Sequence, residues 1–262
     1  MSALISKAPG VSQKSPESPR PVSTLTQPEG PLPTPVEVAL EEPIRELWLR
    51  RVRQHMDDTY AGVSMLQFPE DLRVFEHMLW LSRANTVIEI GTRHGGSALW
   101  FRDRLRALQS YRASSQIRVI SIDLDTAEAT AALTAVDPEF AQTVALVSAD
   151  VRDPGLPERV ATLLPAAARC LVVEDSAHTY ETTRAALDGF ARFVPLEGFF
   201  VVQDGCVDIE EMRPQEDWPR GVLPALHDWL ATPSGRHFAV RRELELYGIS
   251  CHPEGFLQRV SA

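Results

Sequence analysis

Between residues 86 and 203 the chain alternates short apolar runs with stretches of helical periodicity, and this regularity limits what it can fold into. The apolar runs fall at 86–90, 117–122, 144–147, 171–174 and 199–203, and the intervening segments 97–108, 127–135, 156–164 and 179–193 carry helical spacing. Strands of four to six mostly apolar residues have no polar face to offer water, so both faces of their sheet must be covered. Helices between consecutive strands supply that cover and force the strands to run parallel. The expected fold is therefore α/β, a doubly wound and mostly parallel sheet. Two later runs at 238–241 and 255–260, after a helix at 221–231, predict an antiparallel C-terminal edge. Ligands of such sheets sit beyond the carboxyl ends of the strands, which is where chemistry-bearing residues should be sought.

The segments before residue 86 have a different character. Residues 1–36 are rich in Pro, Ser, Thr and Gln with few large apolar groups, a composition that cannot offset its own ordering entropy, so a disordered tail is expected there. The domain is expected over 37–262, with a helical extension at its start. Over 36–58, Leu40, Ile44, Leu47, Trp48 and Val52 recur at helical spacing and predict an amphipathic helix, a face on which a second copy of the chain would pack. A turn at Tyr60-Ala-Gly62 follows, and Pro69 with Glu70-Asp71 opens a helix to about residue 82, the acids suiting its positive end. Trp80, Trp100, Phe101 and Trp229 stand at helical spacing among apolar neighbours and read as core.

Bulk properties narrow the function. A formal net charge of −10 leaves no basic surface for phosphates, so neither nucleic acid nor an anionic membrane is an expected partner, and a small molecule is. Cys170, Cys206 and Cys251 are odd in number and lack C-x-x-C spacing, which argues against a disulfide framework or zinc knuckle and for a reducing compartment. No run approaches the roughly 18 apolar residues that span a bilayer, and a cytoplasmic location is expected.

Val87-Ile-Glu-Ile-Gly-Thr-Arg-His-Gly-Gly-Ser97 is a strand, a tight turn and a helix start. Gly91, Gly95 and Gly96 would let the backbone pass close to a ligand, with Thr92 and Ser97 beside them. A nicotinamide fingerprint needs its second glycine two residues after the first, but Thr92 and Arg93 intervene. With Glu89 two residues before Gly91, the segment instead resembles the first motif of the class I methyltransferases, whose fold is Rossmann-like. That resemblance implies S-adenosylmethionine as methyl donor. It assigns Asp123, at the end of the second strand, to the ribose hydroxyls, and Asp150, after the third, to the adenine side.

The fourth strand ends in Glu174-Asp175-Ser-Ala-His178 and the fifth in Gln203-Asp204-Gly205. Asp175 and Asp204 thus reach the rim that carries the glycine turn. Two carboxylates side by side repel unless a cation or proton lies between them, and a hard divalent ion resolves the conflict. Asp175 alone also reads as a cap for the helix that follows. His178 reads as a general base aimed at a metal-bound hydroxyl, or as a plain helix-start histidine.

Met65-Leu-Gln-Phe-Pro-Glu-Asp71, Val87-Ile-Glu-Ile-Gly-Thr with Gly95-Gly-Ser97, Val173-Glu-Asp-Ser-Ala-His-Thr-Tyr180 and Pro253-Glu-Gly-Phe-Leu257 together resemble the cephalosporin hydroxylase / rhamnosyl O-methyltransferase family, over roughly residues 36–260. The resemblance implies an S-adenosylmethionine-dependent O-methyltransferase that uses Mg2+, acting on a sugar or natural-product hydroxyl and assembling into multimers. It implies Mg2+ ligands at Asp175 and at an acidic pair after the fifth strand. Asp204 matches one of that pair, while Gln203 stands in the other's place. An amide oxygen still coordinates a hard cation but with less charge, so weaker affinity is expected.

Two other classes compete. An iron-dependent hydroxylase needs two histidines and a carboxylate, for which His55-Met-Asp57 and His252-Pro-Glu254 have local spacing. The first pair lies two apart on a helix and does not share a face, and the second is expected at a chain-end turn far from the glycine motif. A non-catalytic partner that keeps the fold is the other class. Retention of Asp123, Asp175, His178 and Asp204 speaks against it.

Overall fold

The computed structural model describes residues 42–112 and 116–262. The predicted tail and the first residues of the predicted 36–58 helix lie outside them. Helix α1 spans Ile44–His55, with Trp48 and Val52 buried. A two-stranded hairpin follows, β1 (Thr59–Tyr60) and β2 (Val63–Ser64), where only a turn is predicted. Helix α2 (Pro69–Leu81) begins with Pro at its first turn, as expected.

The alternation then runs β3 (Thr86–Ile90), α3 (Gly96–Gln109), β4 (Arg118–Asp123), α4 (Ala127–Val136), β5 (Val144–Ser148), α5 (Leu156–Ala161), β6 (Cys170–Glu174), α6 (Tyr180–Phe190) and β7 (Phe199–Val202). After α7 (Val222–Leu230) come the short edge strand β8 (Phe238–Val240) and β9 (Phe256–Arg259). The seven-stranded sheet has the order β5-β4-β3-β6-β7-β9-β8. Neighbours from β5 to β7 are parallel, and β9 is antiparallel to both β7 and β8. The predicted antiparallel edge is present, with the last strand inserted inside it.

Side-chain alternation along the strands separates two buried clusters, one on each face of the sheet. Ile88, Ile90, Ile120, Ile122, Val172, Phe200 and Val202 pack under α1, α5, α6 and α7. Val87, Val119, Leu171, Val173, Phe199 and Val201 pack under α2, α3 and α4. Trp100, Phe101 and Trp229 are buried, as their spacing predicts. Trp80 is not: it is 51% exposed, with the Arg112 guanidinium 4.8 Å from its ring. The buried stripe of α2 is Asp71, Val74, Phe75, Met78 and Leu79, and Trp80 falls one residue off it.

The order places a switch point between β3 and β6. The chain leaves β3 on one side for β4 and β5, then returns to the other side for β6. A crevice opens there at the carboxyl ends of the strands.

Candidate active site

Backbone hydrogen bonds stitch the strand tips together past the last paired residues. Gly91 N–H donates to Ile122 O at 2.8 Å, Ala149 N–H to Asp123 O at 2.7 Å, Asp175 N–H to Ile90 O at 2.7 Å and Gln203 N–H to Glu174 O at 2.9 Å. The ends of five adjacent strands are thereby held in one row. Gly91 has φ 110°, and a Cβ there would lie 1.9 Å from the Asp175 carbonyl oxygen, so the close approach of β3 to β6 requires glycine.

A cavity of about 620 Å3 runs along this rim. Gly91, Thr92, Ser97, Asp123 and Asp150 line it at one end, and Asp175, His178 and Asp204 at the other. Asp123 accepts the backbone N–H groups of Arg93 and Leu124, each at 2.7 Å, which aims its carboxylate along the rim. Asp150 is forked by Arg152, whose side-chain and backbone donors hold the carboxyl down at about 2. Thr92 Oγ1 lies 2.6 Å from Ser121 Oγ.

Three residues predicted at the donor site do not line the cavity. Glu89 is 1% exposed and turned under the turn, where its carboxyl takes the Ser121 hydroxyl. Burial pushes it up to about 7, against hydrogen bonds from Ser121 and Ser97 that favour the carboxylate. The expectation that Gly95 and Gly96 let a ligand approach is corrected. A Cβ on Gly95 would meet Leu133 and Ala129 of α4, and one on Gly96 would lie 2.3 Å from Ser64 O. These glycines seat the start of α3 against its own neighbours.

At the other end, ligand atoms of Asp175, His178 and Asp204 all lie within 4.8 Å of one another. His178 Nε2 is 3.3 Å from Asp204 Oδ2. Burial raises the Asp175 carboxyl well above the usual carboxylate range, and the charges of Asp204, Glu174 and Glu89 raise it further, against a smaller opposing effect of Arg93. The helix-cap reading of Asp175 does not hold. Thr179 is the N-cap of α6, accepting the Thr182 N–H in a reciprocal pair, and Asp175 stands clear of it. His178 and Asp204 both adopt left-handed backbone, at φ 55° and 58°, which turns their side chains toward each other.

Gln203 is 2% exposed and does not line the cavity. Its Oε1 accepts from Gln67 Nε2 at 2.9 Å, and the same amide donates to Asp175 Oδ2 at 3.0 Å. Gln67 therefore occupies the oxygen that the Mg2+ expectation assigns to an ion, and it braces Asp175. Nothing in local spacing marks Gln67. The available signal is one polar residue in the apolar Met65-Leu-Gln-Phe segment.

The iron-type set does not assemble. Among the described residues, two convergent groups of metal-binding side chains occur, Asp175-His178-Asp204 and Asp204-Cys206-Cys251, and each holds at most one histidine. His252, expected far from the glycine motif, instead packs against Asp204, whose backbone N–H donates to its Nδ1 at 3.0 Å. All three cysteines are free and buried. No helix of the described residues is long and apolar enough to cross a membrane.

A central sheet of this order, with its cleft across the carboxyl rim at the switch point, defines the class I methyltransferase fold. Solved structures agree on that fold. CmcI bound to Mg and S-adenosylmethionine is 21% identical, with 89% of this chain and 91% of that chain covered and a TM-score of 0.57. CmcI in its apo form is 20% identical over 90% and 91% with a TM-score of 0.58, and an O-methyltransferase from Bacillus cereus in complex with SAH is 14% identical over 77% and 84% with 0.51. No curated protein matches the sequence at a significant level. Residues 52–260 match the model of the rhamnosyl O-methyltransferase/CmcI family, and the chain belongs to that family. It is an S-adenosylmethionine-dependent O-methyltransferase.

Proposed function

We propose that this enzyme methylates a hydroxyl of a sugar or other natural product and that a divalent ion, Mg2+ in the cell, is held by Asp175 and Asp204. The observation that carries the reading is the convergence of Asp175, His178 and Asp204 in the same cleft as Gly91 and Asp123. Oxygen donors from two carboxylates suit a hard cation, and the crowding of Asp204, Glu174 and Glu89 around the buried Asp175 carboxyl is the electrostatic reason for one. The family structure that carries Mg together with S-adenosylmethionine supports the same assignment. Gln203 is left out of the ion's ligands, because it is buried outside the cavity lining with its oxygen turned to Gln67.

When bound, the donor would supply an electrophilic sulfonium methyl, and the ion would supply positive charge that lowers the pKa of an acceptor hydroxyl. The protein's part is positional. Asp123 holds the ribose hydroxyls, with Thr92, Ser97 and Asp150 around the donor, and Glu89 stiffens the glycine turn from below. His178 Nε2 stands at the acceptor end and takes the hydroxyl proton, its ring aimed by the left-handed backbone. Val52, Met56, Leu66, Pro214, Trp218 and Pro219 line the same cavity and give it apolar surface suited to the face of a ring. A second reading makes His178 a third ligand, favoured by the mutual distances within 4.8 Å.

Calorimetric titration with S-adenosylmethionine or its demethylated product, with and without Mg2+, tests the assignment. Asp123→Ala is expected to weaken donor binding, whereas Asp175→Ala and Asp204→Ala spare it and abolish ion binding. Equal loss of donor affinity in all three would overturn the division of the cleft. His178→Ala retains ion binding if His178 is the base, and loses it if His178 is a ligand.

A further inference from the structure

Behind Asp204 lies a second, fully enclosed pair of titratable side chains that the methyl-transfer chemistry does not use. Asp71, in the first turn of α2, and His252, in the loop before β9, are each 2% exposed at the side chain. Asp71 is anchored on both oxygens: Oδ1 accepts the Ser250 hydroxyl at 2.7 Å and Oδ2 the Cys251 backbone N–H at 3.2 Å. His252 Nε2 faces Asp71 Oδ2 at 3.6 Å. Its other nitrogen, Nδ1, accepts the backbone N–H of Asp204 at 3.0 Å. The ring cannot turn freely, since it stacks on Phe75 at 5.9 Å and 15° and meets Phe256 edge-on at 5.9 Å.

The contacts define the ring's chemistry. An Nδ1 that accepts an N–H carries no proton, so the ring's proton belongs on Nε2, the edge turned to Asp71. At 3.6 Å the Asp71 carboxylate is beyond hydrogen-bond reach of Nε2, and its charge favours the proton on that edge of the ring. What the ring holds is the backbone of Asp204 at φ 58°, a conformation strained for a residue other than glycine that persists only where its surroundings impose it. From that conformation the Asp204 carboxylate reaches His178 Nε2 and the Asp175 cluster.

We propose that His252, its ring packed on Phe75 and Phe256 with the Nε2 edge toward Asp71, is a positioning residue of the ion site: its Nδ1 pins the Asp204 N–H and so aims the carboxylate at the ion. The inference rests on the reading of Asp204 as an ion ligand. His252 touches neither donor nor acceptor and acts through Asp204 alone.

Mn2+ serves as the probe, with free ion followed by electron paramagnetic resonance, and the demethylated donor product is titrated by calorimetry on the same full-length samples. His252→Phe keeps the ring packing and removes the acceptor. It is expected to weaken Mn2+ binding on the order of 10- to 100-fold while leaving product affinity unchanged. His252→Asn, whose Oδ1 replaces Nδ1, is expected to recover most of that loss. Wild-type Mn2+ affinity in His252→Phe overturns the inference alone, as does a His252→Asn variant no better than His252→Phe. A parallel fall in product affinity assigns His252 a general structural role and also overturns it. If Asp204→Ala binds Mn2+ as the wild type does, the ion-site reading fails and this inference with it.

Discussion

Glu89 illustrates how a residue can be found in sequence and still be misread in role. Its place two residues before Gly91 is a motif position, but its side chain points into the layer of α3 and bonds Ser121 rather than entering the cleft. Its carboxyl lies at about 7 against an ordinary 4.5, because burial disfavours the charge. The folded state therefore holds this proton more tightly than the unfolded chain. Its contribution to stability is complete below 4.5 and is lost as pH rises to about 7, a change on the order of 3 kcal/mol. Glu174 and Asp175 are shifted in the same direction, so the wild type slopes more steeply than Glu89 alone requires. Glu89→Gln is expected to flatten the fall in urea stability between pH 5 and pH 8 relative to the wild type. Identical slopes would mean that Glu89 is not the group that titrates. Asp123, Asp175, His178 and Asp204 were readable because strand ends are periodic features, and each lines the cleft. Gln67, Asp71 and His252 were not read for their roles, because their partners are distant in sequence. Asp71 did leave a trace, a charged residue on the apolar stripe of α2.

At the scale of elements, all five parallel strands were legible because two-sided burial leaves uninterrupted apolar runs, whose ends shift by a residue or so in the structure. The β1–β2 hairpin was not legible, since two residues per strand give no alternation to detect. Helix ends were read less well than strands. The predicted 179–193 helix is α6 followed by the 3-10 segment Ala191–Phe193, and its first residue is a cap outside the helix. That cap has a testable consequence. Thr179 Oγ1 accepts the Thr182 N–H, which satisfies one of the orphan donors at the start of α6, while Thr182 Oγ1 accepts the Thr179 N–H in return. Thr179→Ala is expected to destabilise the protein by about 1 kcal/mol, read as a lower urea midpoint at unchanged slope. A midpoint equal to that of the wild type would show that α6 is held by packing alone.

For the molecule as a whole, the parallel strands supply the rim, but segments remote in sequence complete the site. Gln67 and Asp71 come from before the first parallel strand, Cys251 and His252 from just before the last strand of all. Strand β9 is the structural link, bonded to β7 on one side and β8 on the other. Gly255 fits only because it has no side chain, a Cβ there lying 2.0 Å from Val202 O. Phe256 and Leu257 are 1% and 0% exposed, on opposite faces of the sheet, so β9 contributes to both hydrophobic layers at once. Each such side chain contributes about 2–3 kcal/mol by burial, and removal of β9 also leaves the inner edges of β7 and β8 without partners. Against a total stability on the order of 5–15 kcal/mol for a domain of this kind, that loss is decisive. A chain ending at Glu254 is expected to be recovered as aggregate, or to lose its cooperative urea transition, rather than to keep a folded parallel half that binds donor. Soluble monodisperse protein with wild-type affinity for the demethylated donor product would show that the parallel half folds and binds by itself. In that case the antiparallel edge would serve the ion end of the cleft and not the fold.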